Sequence, residues 1–496
     1  MPDALAAQPD PTTVPSIPAP VTPAPTHDGR PDGPDERPPG RPRDRRPRDR
    51  APQILAALLF VAYASLSLSR YRHLATKSWD LGIFEQAVRA YARLQAPIAD
   101  LKGPGTHILG DHFSPVTALL APVYRLFPTP VTLLVTQAAL LALSAVPVTR
   151  AAAGLLGHRR GLALGVAYGL SWGIQRAVDF DFHEICFAVP LIAFALEAVL
   201  ARRWRRALLW ALPLVLVKED LGLTVAAIGL VVAVRARRSS RRAAWCGLAV
   251  AVFGVVAAAV TLTLVIPAFN SADSYVYWDK LGESGGSPFD GIGTKLRTLA
   301  WLLVPTTGLL ALRSPLLLVA LPTLGWRFVS SDQHYWGTDW HYSAVLMPVV
   351  TLALADALSR ARYSTRPWLR SYAFHLPTAV VAASLALTTS LPLSQLTEPD
   401  AYRKPARVAA VERMLNLIPD GASVEANTGP SSRLTSRCRV FWVGSTRGVT
   451  PDFIAVDNTS RSIRDVRAYA RQLHPRAEYD VTGAAQGYVL LKRQRR

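Results

Sequence analysis

The chain lacks most of what would mark a soluble enzyme or a disulfide-stapled domain. It has three cysteines in 496 residues. Cys186 and Cys246 lie in or beside apolar runs and Cys438 stands alone near the C-terminus. Neither a disulfide framework nor a metal-type cysteine spacing follows. No P-loop, GxGxxG turn, nucleophile elbow or His-Glu-x-x-His motif occurs in a fitting context, so the usual nucleotide, serine-hydrolase and zincin readings fall away. No internal repeat is visible. The start lacks the apolar core of a secretory signal peptide. Acidic residues are scarce, with 35 Asp and Glu against 55 Lys and Arg and a net charge of +20. A surplus of that size raises nucleic-acid binding. The arginine clusters, however, fall between apolar runs, where positive-inside loops belong, so no nucleic-acid partner is expected.

Apolar sequence is what the chain has in plenty. Half of its residues are hydrophobic, and they come in long runs with charge sparse inside and dense between. This pattern predicts an α-helical polytopic protein of the plasma (inner, cytoplasmic) membrane with about eleven transmembrane helices. Residues 1–50 are Pro- and Arg-rich without apolar periodicity and read as a disordered cytoplasmic tail. Residues 51–395 form the transmembrane domain, with a first span from about Ala51 to Ser69. Residues 80–95 carry Leu81, Phe84, Val88, Tyr91 and Leu94 near helical spacing, which predicts an amphipathic helix at the membrane surface. Ser114 to Phe127 is too short for a crossing and reads as a surface or re-entrant helix turning back at Pro128-Thr-Pro130. Asn270–Arg297, with Gly282-Glu-Ser-Gly-Gly286, is expected as an outer loop. Residues 396–496 change character. Helices over 408–418 and 463–473 alternate with short strands at 422–426, 440–443, 453–456 and 488–491, a small α/β domain that the crossing count places on the extracytoplasmic side.

Residues 207–234 are apolar except for Lys218-Glu-Asp220 in the middle, and arginine clusters flank both ends. A single crossing would put one cluster on the wrong side and bury three charges at mid-helix, at roughly 2.5–3.5 kcal/mol each for Lys and Asp. A hairpin solves both problems. Its limbs of about 11–14 residues would rise about 17–21 Å, less than the roughly 30 Å hydrocarbon core. Lys218, Glu219 and Asp220 should then sit below the outer surface in a polar cavity.

The ionisable residues sort by side. Arginine dominates the cytoplasmic loops. The acids and histidines collect outside: Asp80, Glu85, Asp111, His112, Asp179, Asp181, His183, Glu184, Lys218, Glu219, Asp220 and His341 among them. Ionisable groups at membrane depth are costly and line pathways or sites, so this asymmetry points to an outward-facing site. Each group alone has a plainer reading. Asp80 could cap the helix that follows it, and Asp111 and His112 could start the Ser114 helix. Asp181, His183 and Glu184 are metal-ligand types but lack a specific spacing, so a hydrated loop serves as well. Lys218-Glu-Asp220 could neutralise itself in a structural core. His334 and His341 could be interfacial, as Trp336 and Trp340 are expected to be.

Four motifs in order, Trp79-Asp-Leu-Gly-Ile-Phe-Glu-Gln86, Gly110-Asp-His-Phe-Ser-Pro115, Asp179-Phe-Asp-Phe-His-Glu184 and Val217-Lys-Glu-Asp220, resemble the bacterial membrane family DUF2079. Ser423-Val-Glu-Ala-Asn427 and Pro451-Asp-Phe-Ile-Ala-Val-Asp457 look similar to its C-terminal region. The family in turn is similar to the GT-C class of membrane glycosyltransferases, which implies an Asp in the first outer loop beside a surface helix and a polyprenyl-phosphate sugar donor. Asp80 occupies that position. The resemblance implies transfer of a sugar from the lipid-linked donor to a cell-envelope acceptor outside the cytoplasm. Asp80 would be the base and Lys218 the phosphate-neutralising cation. Glu85, Asp111, His112, Asp181, His183, Glu219, Asp220 and His341 would bind substrate. An alternative has Asp80 and Asp181 holding a divalent cation. The rival from another class is a transporter or flippase of a lipid-linked or small polar substrate, with Lys218-Glu-Asp220 as its coupling site. The absence of a repeat and the confinement of polar groups to one side count against it.

Overall fold

Runs without charge become helices in this chain, and each polar interruption becomes a turn. The computed structural model describes residues 49–270 and 289–494. The expected N-terminal tail, up to residue 48, and the Gly282–Gly286 loop lie outside the described residues. The order begins with α1 (Ala51–Arg72), α2 (Asp80–Ala92), α3 (Ala121–Leu126) and α4 (Pro130–Leu156). Next come α5 (His158–Gly169), α6 (Trp172–Asp179), α7 (Ala188–Leu200), α8 (Trp204–Ala211), α9 (Leu221–Ala236), α10 (Arg241–Val260) and α11 (Ile266–Phe269). The last helices of the membrane region are α12 (Ile292–Thr307), α13 (Leu321–Val329), α14 (Leu346–Ala361) and α15 (Pro367–Thr388).

Among the described residues, five helices are long and apolar enough to cross a membrane alone: Ala51–Arg72, Pro130–Leu156, Arg241–Phe269, His341–Ala361 and Pro367–Thr388. The other segments expected to cross are shorter or divided. The 161–177 run breaks between α5 and α6. The carbonyls freed there are satisfied inside the protein, by Tyr63 Oη donating to Gly169 O at 2.5 Å and Gln175 Nε2 to Leu170 O at 2.7 Å. Broken helices are tolerated at membrane depth under that condition. The Ser114–Phe127 stretch is a short 3-10 turn, Pro115–Leu120, followed by α3. Neither Asp111 nor His112 starts a helix at Ser114, since Asp111 is paired with Lys102 and His112 instead.

The hairpin is present. α8 continues through a 3-10 turn, Leu212–Leu216, to the turn at Lys218–Asp220, and α9 returns. α9 then packs antiparallel on α10 through glycines. A Cβ on Gly222 would lie 2.5 Å from Gly254 O, and one on Gly229 would lie 2.6 Å from Gly247 O. Small residues that let backbones touch are a main source of helix association in lipid. The opposite face of α10 leaves Trp245, Val252 and Val256 exposed, as suits a helix against lipid. At the arginine-rich end, Asp356 of α14 accepts from Arg235 Nη2 at 2.6 Å and Arg360 Nη2 at 2.9 Å, which ties α9 to α14.

The C-terminal region has α16 (Ala406–Leu415), β1 (Ser423–Ala426), α17 (Thr428–Leu434), β2 (Arg439–Trp442), β3 (Phe453–Asp457), α18 (Val466–Leu473), β4 (Tyr479–Ala485) and β5 (Tyr488–Arg493). The sheet order is β2-β1-β3-β5-β4, with β2, β1 and β3 parallel and β5 antiparallel to β3 and β4. This region shares a core with α2. Ile83 and Ala87 are buried among Val411, Val424, Val440 and Leu434. Polar contacts fix the register: Gln86 Nε2 donates to Val440 O at 2.9 Å, Arg89 Nη1 to Cys438 O at 2.9 Å, and Arg439 grips Asp100 with Nε and Nη2 at 2.7 and 3.0 Å. The helix that begins at Asp80 is therefore clamped between the bundle and the sheet.

Candidate active site

The site is built where α2, the 107–114 loop, the 180–187 segment, the hairpin turn and the start of the His341–Ala361 span come together. Asp80 opens α2 in its first turn, where the helix dipole favours a carboxylate. It does not cap the helix, since no side chain caps that terminus. Its Oδ2 instead accepts from Ser78 Oγ at 3.0 Å, and its own N–H donates back to that hydroxyl at 3.1 Å. One turn on, Phe84 is fully buried and forms the hub. Its ring meets His112 at 6.0 Å, His183 at 5.4 Å and Phe182 at 5.6 Å between centroids.

Two groups of charge flank this hub. In the first, Lys218 Nζ lies 2.9 Å from Glu219 Oε1 and 3.6 Å from Glu184 Oε1. Glu184 also pairs with His183 Nδ1 at 2.7 Å. The His183 ring stacks on His341 at 3.7 Å and 25°, and Phe180 closes on His341 at 4.4 Å. Nδ1 of His341 is buried without a hydrogen-bond partner among the described residues. Oδ1 of Asp220 is likewise buried without one. His112 Nδ1 pairs with Asp111 Oδ2 at 2.5 Å, and Lys102 Nζ reaches the same oxygen at 3.1 Å. Burial opposes the charges here, and the partners win. Glu184 is held down to about 2 against burial by His183 and Lys218. Asp111 is held well below the usual carboxylate range against burial by His112 and Lys102. The Asp111 carboxylate raises His112 above its ordinary value although burial pulls it the other way.

The second group surrounds Asp179 and Asp181. Asp179 pairs with Arg70 at 2.8 Å and with Lys77. Asp181 has a left-handed φ of 78°, a conformation Asp tolerates better than most residues. Its Oδ2 accepts from the Lys77 N–H at 2.9 Å. Gln137 of α4 holds this bend by donating to the carbonyls of Ala177 and Asp181 and accepting from the His183 N–H at 3.0 Å. Burial pushes the Asp181 carboxyl up to about 7, the Lys77 N–H and Arg70 oppose it, and Asp179 and Asp80 add to it. Through the Lys77 N–H, Asp181 is tied to the chain three residues before Asp80. Tyr342 packs its ring on His341 at 4.3 Å between centroids.

The structure thus brings Asp80, Asp111, His112, Asp181, His183, Lys218, Glu219, Asp220 and His341 to one region. Glu85 is different. It is fully buried, with Tyr124 Oη donating at 2.8 Å and Thr435 Oγ1 at 2.5 Å, so it joins α2 to α3 and α17. Burial raises it to about 7 against those two hydrogen bonds. Sequence reasoning passed over Arg70, Lys77, Lys102, Phe84, Gln137 and Tyr342. Gln137 carried a signal, as an amide inside an apolar span. Arg70 read as an ordinary end to the first span. Among the described residues, no cluster of three or more His, Cys, Asp or Glu has metal-holding geometry, so the metal alternative rests on the Asp80–Asp181 pair.

The fold has solved counterparts. ArnT from Cupriavidus metallidurans bound to undecaprenyl phosphate superposes with a TM-score of 0.54 at 14% identity, covering 88% of this chain and 97% of that one. The apo form of the same protein gives 0.51 at 12%, with the same coverage. At those identities the fold is what is shared, and it is the GT-C-like fold expected above. No curated protein matches the chain. The model of the predicted membrane protein family DUF2079 matches residues 70–490, and the chain belongs to that family.

Proposed function

We propose that this protein is a membrane glycosyltransferase that moves a sugar from a polyprenyl-phosphate donor to an acceptor hydroxyl on the extracytoplasmic side. The observation that carries the reading is the packing of His112 and His183 on Phe84, one turn beyond Asp80, with Lys218 Nζ 3.6 Å from the Glu184 that pairs with His183. A carboxylate at a helix start and an ammonium in the hairpin turn thus address one locus from two elements. Likeness in fold to ArnT, which was solved bound to undecaprenyl phosphate, agrees with a lipid-phosphate donor.

The chemistry would run as follows. The acceptor oxygen attacks the anomeric carbon, and its proton passes to Asp80. The bond from the anomeric carbon to the phosphate oxygen breaks, and the lipid phosphate leaves with an added negative charge. Lys218 and His112, held in low-dielectric surroundings, stabilise that charge. Glu184 and Asp111 keep their cations in place before the donor arrives. A metal held by Asp80 and Asp181 would do the same work by charge neutralisation. Direct neutralisation fits the surroundings better, since Asp181 is already bound to the Lys77 N–H and lies near Arg70.

The test is reconstitution. Protein in liposomes given a polyprenyl-phosphate-linked radiolabelled sugar should release polyprenyl phosphate and form a labelled product. Movement of the intact lipid between leaflets without cleavage would contradict transfer and support a flippase.

A further inference from the structure

The C-terminal sheet carries a second polar locus that the membrane chemistry does not use. The chain leaves β1 to build β2 on one side, then crosses to build β3 on the other, and all three strands are parallel. The β1–β3 junction is therefore a topological switch point. In open α/β sheets, ligands bind in the crevice outside the carboxyl ends of the strands at that point. A crevice of about 590 Å³ opens there, bordered by Asn427, Trp442, Asp457, Arg464, Tyr469 and Gln472. That is a size suited to a small ligand. Its floor is rigid. Asn427 Nδ2 donates to Asp457 O at 2.9 Å, and the Asp457 N–H donates back to Asn427 Oδ1 at 2.8 Å.

The lining decides the chemistry. Asp457 and Asp465 outnumber Arg464, so a polyphosphate would meet net repulsion. α17, which follows β1, has only seven residues and brings no glycine-rich phosphate turn. What remains is two carboxylates, two amides and a guanidinium, all able to bond hydroxyls, beside two aromatic rings that offer flat apolar faces. Neutral polyhydroxyl rings present both surfaces.

We propose that this crevice is a saccharide-binding site that holds a glycan acceptor beside the transfer centre. Trp442 connects the two. It borders the crevice and meets Trp79 edge-on at 4.7 Å between centroids, and Trp79 immediately precedes Asp80. The word acceptor rests on the transfer reading; the saccharide affinity does not.

The test uses full-length protein in detergent micelles, with cellobiose, maltose, mannobiose and galactobiose as probes in saturation-transfer NMR and titration. At least one probe should bind, and Tyr469→Ala and Gln472→Ala, both at the rim, should each weaken it tenfold or more. Failure of all four probes, binding that ignores both variants, or displacement of the sugar by inorganic pyrophosphate would overturn the site. Protein that binds a probe through the crevice yet transfers no sugar would overturn the transfer reading alone. Protein that transfers sugar but binds no probe would overturn the crevice alone.

Discussion

The ammonium of Lys218 stands 3.6 Å from Glu184 Oε1. That contact joins the turn of a membrane hairpin to the loop that ends Asp179-Phe-Asp-Phe-His-Glu184. It places a lysine flanked by apolar limbs against a fully buried carboxylate. Removing Lys218 leaves Glu184 with His183 and takes from Glu219 its 2.9 Å lysine contact; breaking a buried pair costs about 3–5 kcal/mol. Lys218→Met should therefore lower thermal stability in detergent sharply. The double variant Lys218→Met/Glu184→Gln should recover part of the loss, since Glu219 still lacks its lysine contact. Additive losses in the double variant would show that the two side chains are not coupled.

The α9–α10 contact predicts a steric result. Gly229→Leu must displace the α10 backbone at Gly247, and overpacking of this kind costs about 1–3 kcal/mol or more. Melting of purified protein should fall accordingly. Gly154→Ala is the control, because a Cβ there meets nothing within 4 Å, and inside α4 it should hold or slightly raise melting.

Glu85 sets a pH dependence. Its carboxyl titrates near 7 in the folded protein against an ordinary value of 4.5. A carboxyl raised on folding adds stability that is fully present below about 4.5 and is lost as pH rises through about 7. Asp181 shifts in the same direction. Glu184, lowered to about 2, contributes the opposite way, but only below its ordinary range. Hydrogen exchange of α17, which Glu85 anchors through Thr435, should therefore speed up between about pH 4.5 and 7 beyond its intrinsic pH dependence, and level off above that. Glu85→Gln should flatten that excess. An excess that survives in Glu85→Gln would assign the effect elsewhere.

Much of this was legible beforehand, for a physical reason. Strong periodicity and charge contrast place α1, α2, α4 and the Lys218 turn to within a few residues, because lipid permits few alternatives to an apolar helix. The strands at Ser423–Ala426 and Phe453–Asp457 were equally plain. β4 was not, since Tyr479–Ala485 contains glycine, alanine and a bulge. α17 begins Thr-Gly-Pro and carries no apolar stripe. The division at Leu170–Ser171 depends on Gln175, five residues on, and on Tyr63, a remote partner that no local pattern reveals. The separation of Glu85 from its neighbour Asp80 was hidden for the same reason, because Thr435 lies 350 residues away in the chain.

Metal dependence separates the two accounts of the leaving phosphate. If Lys218 and His112 neutralise it directly, transfer should survive EDTA and Lys218→Gln should lower kcat tenfold or more. Loss of activity in EDTA, restored by magnesium or manganese, would assign that work to a cation at Asp80 and Asp181.

The central claim is that Asp80 takes the acceptor proton, and one measurement reaches it most directly. Single-turnover sugar transfer from a polyprenyl-phosphate donor is compared between wild-type protein and Asp80→Asn in the same liposomes, with donor binding measured in parallel. The account predicts a fall of about 10²–10⁴-fold in the transfer rate, with donor affinity and melting temperature nearly unchanged. Transfer at the wild-type rate in Asp80→Asn would contradict it.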